Sequence, residues 1–367
     1  MKIITGFDGA CPQSDEAVLQ LSGNRFEIRP SWRGAKETFS EERPGEGFSF
    51  CVKVAVEGAP VEGELVVNWE DASGHWMHLR DYVSVRLPGE DDWRIEPAPV
   101  EGPCSTVHMT FPAGETWVAL CPLYNVAQAE AYLEKKAARP LASLDEIGKS
   151  NEGRPLRRLR VTSERGAREK ANVVVLARTH PYESAGSYAS EGAIDFLLSG
   201  SDVAGYLLSR FAFNFVPMPN PDAVARGLSR LTAPAGHNLA RVHDGSPPEN
   251  RAIRAMLDEL RPHTFIDLHN WLDKRKDAMM VTRLSTSRHL LRSWPAMDGK
   301  YWRVLNPQEE LDRYGTETVP KERHSWRHYC RDKFGSDATT FEFPWFARST
   351  RRMREIGAAM LPAYLVR

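Results

Sequence analysis

The sequence has no apolar run near the roughly 18 residues that a membrane-spanning helix needs. Its first residues, Met1-Lys2-Ile3-Ile4-Thr5-Gly6-Phe7-Asp8, lack the apolar core of a secretory signal. Cysteine is scarce. The five present, Cys11, Cys51, Cys104, Cys121 and Cys330, are scattered, and none forms a C-x-x-C pair. That pattern predicts reduced thiols in a cytoplasm and excludes a cysteine-based zinc site. An excess of charge is also missing. Lys and Arg number 48 against 49 for Asp and Glu, so the formal net charge is -1. No basic surplus favours a nucleic acid or an anionic membrane surface as partner. No internal repeat or low-complexity tract is visible.

What is present suits two domains. The chain has 367 residues, long for a single core. Residues 1–122 predict an antiparallel β-sandwich. Short alternating segments (25–29, 48–54, 64–69, 82–85, 107–111 and 117–120) recur between Gly, Pro, Asp and Asn turns. Gly74-His75-Trp76-Met77-His78 sets two His three apart in a polar turn without a carboxylate, and no metal role is assigned there. From residue 123 to 367 strands and helices alternate, the sign of an α/β domain. Ala127–Lys136 reads as a helix, Leu144–Gly148 as a short second helix, and Leu156–Val161 as a charged edge strand.

The stretch around which this second part is organised is Ala177-Arg178-Thr179-His180-Pro181-Tyr182-Glu183. It follows the apolar run Val173–Leu176, which predicts a buried strand of a parallel sheet, and it precedes a helical pattern ending at Leu198. His180 and Glu183 therefore meet at a strand-to-helix crevice, where ligands bind in open α/β sheets. An imidazole and a carboxylate on one turn suit a single zinc ion. Thr264–His269 is a second apolar strand and ends on a His, the candidate third ligand. Asp267 lies two residues before it, placed to orient the imidazole. In Ala338–Pro344, Glu342 is a carboxylate inside an apolar strand, a natural general base. Arg230 and, eleven residues on, Arg241 follow the turn Pro219-Asn220-Pro221-Asp222. A planar guanidinium suits two-pronged capture of a carboxylate.

Taken in order, H-P-x-E, N-P-D, R, G-x-x-L-x-R, D-L-H and a late T-x-E resemble the zinc carboxypeptidases. Ser150-Asn151-Glu152-Gly153-Arg154-Pro155 is similar to their entry motif, and the β-rich first part with Pro122-Leu123-Tyr124 resembles the cytosolic carboxypeptidase branch. The resemblance covers nearly the whole chain. It implies a mixed central sheet flanked by helices behind the N-terminal sandwich. It implies one zinc per chain on His180, Glu183 and His269, with Glu342 as general base. It further implies that Arg230 stabilises the oxyanion and that Arg241 holds the substrate's terminal carboxylate.

The sequence departs from the branch in places. Ala240 stands where an Asn assists the second arginine. Asn238 replaces an Asp and is a candidate to help with the carboxylate. Asn270-Trp271 stands where Gly-His is common, and Ala223 follows N-P-D. The pocket tyrosine is left open among Tyr301, Tyr314 and Tyr329. Arg323–Arg331 reads as a solvated helix face, or else as a wall receptive to acidic side chains, with Arg327 and Arg331 as its cations. The implied activity is removal of C-terminal residues, with an acidic preference, from a peptide or protein; the sequence leaves the oligomeric state open. Two other readings stay open: a zinc amidohydrolase or endopeptidase on a small acyl-amino acid or cell-wall peptide, and a non-catalytic peptide-binding module.

Overall fold

In strand β4 (Cys51–Val56), Val52, Val54 and Val56 are buried while Lys53 and Ala55 between them are partly exposed. That period of two is repeated through the first third of the computed structural model and forces a two-sheet arrangement. The structure describes residues 1–30, 49–69, 80–164, 166, 169–234, 236–241, 247–270, 277–294, 301–305 and 324–366, with the side chains of 301–305 excepted. The 74–78 segment, Trp271, Tyr314, Arg323 and the Tyr301 side chain lie outside the described residues.

The other strands of this part are β1 (Lys2–Ile4), β2 (Val18–Ser22), β3 (Arg25–Ile28), β5 (Val61–Asn68), β6 (Tyr82–Arg86), β7 (Arg94–Pro97), β8 (Val100–Glu101), β9 (Cys104–Phe111) and β10 (Gly114–Ala119). One sheet runs β1-β4-β10-β6-β7 and the other β2-β3-β5-β9-β8. They share a core that joins Val52, Val54, Val85 and Val118 of the first to Phe26, Ile28, Leu65, Val107 and Phe111 of the second. All pairs are antiparallel except β3 with β5, which is parallel.

The rest of the chain follows with α1 (Val126–Ala137), β11 (Ala142–Lys149), β12 (Pro155–Val161), β13 (Ala171–Ala177), α2 (Ser184–Leu197), α3 (Asp202–Arg210), β14 (Phe211–Val216) and α4 (Pro221–Ala225). Then come α5 (Pro248–Leu260), β15 (Thr264–His269), β16 (Asp277–Val281), α6 (Leu284–Ser293), β17 (Tyr301–Leu305), α7 (Trp326–Phe334), β18 (Asp337–Glu342) and α8 (Thr350–Leu365). Eight strands form one mixed sheet, β11-β12-β14-β13-β15-β18-β16-β17. Its centre, β14-β13-β15-β18, is parallel. Both faces are covered. Val173, Val175, Ile266, Leu268 and Phe341 pack on α2 and α8, and Val174, Leu176, Phe265 and Ala338 pack on α5 and α7. Helices α2 and α8 cross so closely that a Cβ on Gly357 would stand 1.8 Å from the Ala189 carbonyl oxygen.

Two expectations are corrected. Leu144–Gly148 is not helical but lies within β11, and β12, expected as an edge, is an interior strand that β11 covers. The charges in this segment serve the ladder. Asp145 sits opposite Arg158 and Glu146 opposite Arg157. The first pair closes to 3.0 Å and the second to 3.9 Å. Cross-strand opposite charges stabilise such a pairing modestly, by about 0.2–1 kcal/mol.

Candidate metal centre

Strands β13, β15 and β18 run parallel, so their C-terminal ends come out on one edge of the sheet. The loop carrying His180 and Glu183 leaves β13, His269 ends β15, and Glu342 ends β18. His269 and Glu342 are direct register partners. The loop after β13 opens with Arg178 in the left-handed region, φ 61. Its buried guanidinium donates to the Pro181 carbonyl at 2.5 Å and to the Tyr124 carbonyl at 3.0 Å. Burial pushes the Arg178 pKa down to about 10. One cation thus ties the segment joining the two parts of the chain to the loop that carries the candidate ligands.

Glu183 occupies the N-cap of α2 yet makes no side-chain cap bond. Both its oxygens face imidazoles. Oε1 lies 2.7 Å from His180 Nδ1, and Oε2 lies 2.7 Å from His269 Nδ1. The outer ring nitrogens are held from behind. His180 Nε2 lies 3.1 Å from Asn238 Oδ1, and His269 Nε2 lies 3.2 Å from Asp267 Oδ2. Asn238 Oδ1 is an acceptor, so the His180 proton belongs on Nε2 and a neutral ring turns its Nδ1 lone pair toward Glu183. Two acceptors at that separation need a proton or a cation between them. The three ligand atoms lie within 4.8 Å of one another, and all three residues are buried. Two nitrogens and an oxygen, with Asn238 bonded behind one ring and the Asp267 carboxylate beside the other, fit one zinc ion.

The electrostatics of the cluster agree. Burial on its own would raise the Glu183 carboxyl, but His180 and then His269 hold it well below the usual carboxylate range. Burial pulls His180 below the ordinary imidazole value, against the opposing pull of Glu183. For His269 burial acts in the same direction, but the Asp267 and Glu183 carboxylates overcome it and hold the ring well above that value. Arg230 is close enough to add to the lowering of His180. Glu342 and Glu183 both add to the rise that burial causes at the Tyr182 hydroxyl.

The structure therefore brings together His180, Glu183 and His269, with Arg230 and Glu342 in their field and Asp267 behind one ring as anticipated. Asn238 lies behind the His180 ring. Its side-chain oxygen serves His180 and the Ala240 amide, the latter at 3.0 Å, so it backs an imidazole where a part in carboxylate capture was expected. Arg241 belongs to the same turn, through its amide to the Asn238 carbonyl at 3.0 Å, and its own carbonyl accepts from Asn250 Nδ2 at 3.1 Å. Of the tyrosines considered, Tyr329 bonds Asp258 at 2.6 Å on the outside of α7. The residue that sequence reasoning missed is Tyr182, half-buried beside Glu183, whose hydroxyl donates to the Asn270 carbonyl at 3.2 Å. Helix α7 is also not the solvated face expected: Trp326, Arg327 and His328 are buried, and only further along does Arg331 pair with Asp332 at 2.6 Å near the surface.

Comparison with known proteins bears on this arrangement directly. A zinc carboxypeptidase family profile matches residues 129–241. Over that span the chain is similar to the zinc carboxypeptidases. The matched span includes His180, Glu183, Arg230 and Arg241. A cytosolic carboxypeptidase 2 from Xenopus tropicalis is 32% identical over 187 residues, which is 48% of this chain and 17% of that protein. The chain thus spans under a fifth of the length of that relative. Among solved structures, a metallo-carboxypeptidase from Burkholderia cenocepacia superposes with a TM-score of 0.80 at 21% identity, covering 100% of this chain and 98% of that one. One from Pseudomonas aeruginosa, in complex with (2-guanidinoethylmercapto)succinic acid, gives 0.78 at 19% identity over 100% and 99%. The likeness to these two is one of fold and includes the N-terminal sheets. No described helix is long and apolar enough to cross a membrane.

Proposed function

We propose that the chain is a metallocarboxypeptidase that removes C-terminal residues from a peptide or protein in the cytoplasm. The observation that carries the reading is the convergence of His180 Nδ1, His269 Nδ1 and both Glu183 oxygens at one sheet edge, with Glu342 in register beside His269. His180, Glu183 and His269 would hold one zinc ion, which when bound acidifies a water and polarises a carbonyl. Asn238 and Asp267 keep the two rings turned inward. Glu342 takes the proton from the attacking water and returns it to the leaving amine nitrogen. Arg230 faces the negative charge that develops on the carbonyl oxygen, a contribution of about 10²–10³ in rate for a single well-placed donor. Arg241 pairs with the substrate's terminal carboxylate.

The finer reading is a preference for an acidic terminal side chain. Its support is Arg327, buried in a helix that packs on β15 and β18, the strands ending in His269 and Glu342. The broader alternative within the same chemistry is hydrolysis of a small acyl-amino acid or an internal bond. Ala240 favours it, being a methyl group where an amide would assist Arg241.

One comparison of substrates tests the reading. A peptide with a free C-terminus should be cleaved with a kcat/KM at least about 100-fold above its C-terminal amide, because a guanidinium deprived of its charged partner costs several kcal/mol. Equal cleavage of the two replaces the carboxypeptidase reading with the amidohydrolase or endopeptidase one. Equal cleavage of Glu and Leu ends removes only the acidic preference.

A further inference from the structure

Outside the ligand cluster, the contacts that join the N-terminal sheets to the site form a continuous line. The Ser49 amide, just ahead of β4, donates to Ser229 Oγ at 2.9 Å. Ser229 immediately precedes Arg230. Its carbonyl accepts from the Tyr182 amide at 3.3 Å. Tyr182 directly precedes Glu183, and its hydroxyl reaches the carbonyl of Asn270, the residue after His269. One run of hydrogen bonds therefore starts in the sandwich and touches each of three segments: the one carrying Arg230, the one carrying His180 and Glu183, and the one carrying His269.

The same loop is pressed onto the sandwich at two more points. The Gly9 amide donates to the Ala225 carbonyl at 2.9 Å. Gly227, at φ 65, passes so close that a Cβ there would stand 2.0 Å from the Ala10 carbonyl oxygen. Only glycine tolerates both that conformation and that approach. A cavity lined by Cys51, Arg178, Pro181, Tyr182 and Leu228 sits at this junction. Apolar packing is incomplete there, so hydrogen bonds and backbone contacts set the spacing.

We infer that the N-terminal sandwich positions the catalytic groups, with Ser229 and Tyr182 as the positioning residues that carry its docking to Arg230 and to the metal-binding loop. The inference rests on the function proposed above for those groups. Arg230 is a long side chain on a loop. A displacement of about 1 Å in such a group costs up to about 100-fold in rate. What the relay supplies is a fixed origin for that side chain.

Ser229→Ala removes the acceptor for the Ser49 amide and leaves the Ser229 carbonyl in place. In the zinc-loaded full-length enzyme, kcat on a peptide with a free C-terminus should fall by about tenfold, with KM within twofold and zinc content unchanged. Hydrogen exchange at 179–184 and 228–231 should quicken, while exchange in the sandwich core stays the same. Ser229→Thr, which keeps the hydroxyl, should restore both. Wild-type turnover and exchange in Ser229→Ala, or Ser229→Thr as impaired as Ser229→Ala, would overturn the inference. A wild-type chain that cleaves no peptide overturns the functional reading instead, and the exchange data then decide on their own whether Ser229 couples the sandwich to the loop.

Discussion

The two halves of the molecule use burial differently. The sandwich core is apolar: Phe26, Ile28, Val52, Val54, Leu65 and Val107 close on one another. The polar groups buried with it are chiefly hydroxyls such as Ser84, Ser105 and Thr116. Arg80 is the exception, its guanidinium 4.0 Å over the Trp69 ring and its pKa pushed down to about 9 by burial. At the ends of β13, β15 and β18 the pattern inverts, and His180, Glu183, Asp267, His269 and Glu342 are all buried. A buried charge costs several kcal/mol unless it is paired. Local stability does not account for five titratable groups gathered at one sheet edge. The ion and the substrate proposed for them would account for their arrangement, and the apolar core elsewhere offsets what they cost.

The largest effects should come from breaking the polar half, and its members should fail in different ways. Replacing His180 with Ala removes one of the three donors and should abolish stoichiometric zinc binding in a folded protein. Glu342→Gln leaves the donors intact. It should retain one zinc per chain while kcat falls by about 10²–10⁴-fold, because an amide cannot accept the water's proton. Metal analysis on both purified variants, followed by turnover of the second, separates ligand from base. Full zinc in His180→Ala would remove that residue from the ligand set, and near-normal turnover in zinc-loaded Glu342→Gln would remove the base.

The apolar half should break in the opposite manner. Leu65 is fully buried between the two sheets, in the sheet away from Ser49 and the loop contacts. Leu65→Ala should lower stability by about 2–5 kcal/mol, the range for opening such a cavity. Below its melting transition it should leave kcat within twofold. Denaturant unfolding monitored alongside turnover tests this. A loss of kcat matching the loss of stability would show that the sandwich core and the site are not separable.

How much of this was legible beforehand follows from the same contrast. The parallel strands announced themselves because they are buried on both faces, so Val173–Leu176 reads as an unbroken apolar run and Thr264–His269 as a mainly apolar one holding Asp267. The ligands were legible because a His or Glu at the end of such a run is out of place. Strand β11 was not legible, since an edge strand answers to a partner's charges, and Asp145 and Glu146 match arginines 11 to 13 residues away. Asn238 was read by analogy as a carboxylate helper. Only the folded loop shows its oxygen against His180. Tyr182 and Ser229 carried no signal, because their hydroxyls bond backbone groups of segments far away in the sequence, which no local spacing marks.

The smallest predicted effect tests the second place where the halves meet. Asp92, in the loop between β6 and β7, reaches the N-terminus of α8. Its Oδ1 accepts from the Thr350 amide and hydroxyl, each at 2.7 Å, and its Oδ2 from the Arg351 amide at 3.3 Å. A carboxylate there satisfies donors that a helix start leaves open, and it lies at the positive end of the helix dipole. Burial alone would raise the Asp92 carboxyl, but the bonds from Thr350 and Trp93 outweigh it and hold the pKa below the ordinary Asp value. The folded protein therefore binds that proton less readily than the unfolded chain. The stabilisation is fully present above the unfolded pKa of about 3.9 and is lost as the pH falls through the lower folded value. Asp92→Asn should lower the stability by about 1 kcal/mol at neutral pH. Unlike Ser229→Ala, it should leave kcat unchanged, because α8 carries none of the proposed catalytic groups. Melting curves of both proteins from pH 7 down to pH 3 should converge at the acid end. Curves that stay parallel would mean that the Asp92 charge contributes nothing and that its bonds are equally good with an amide.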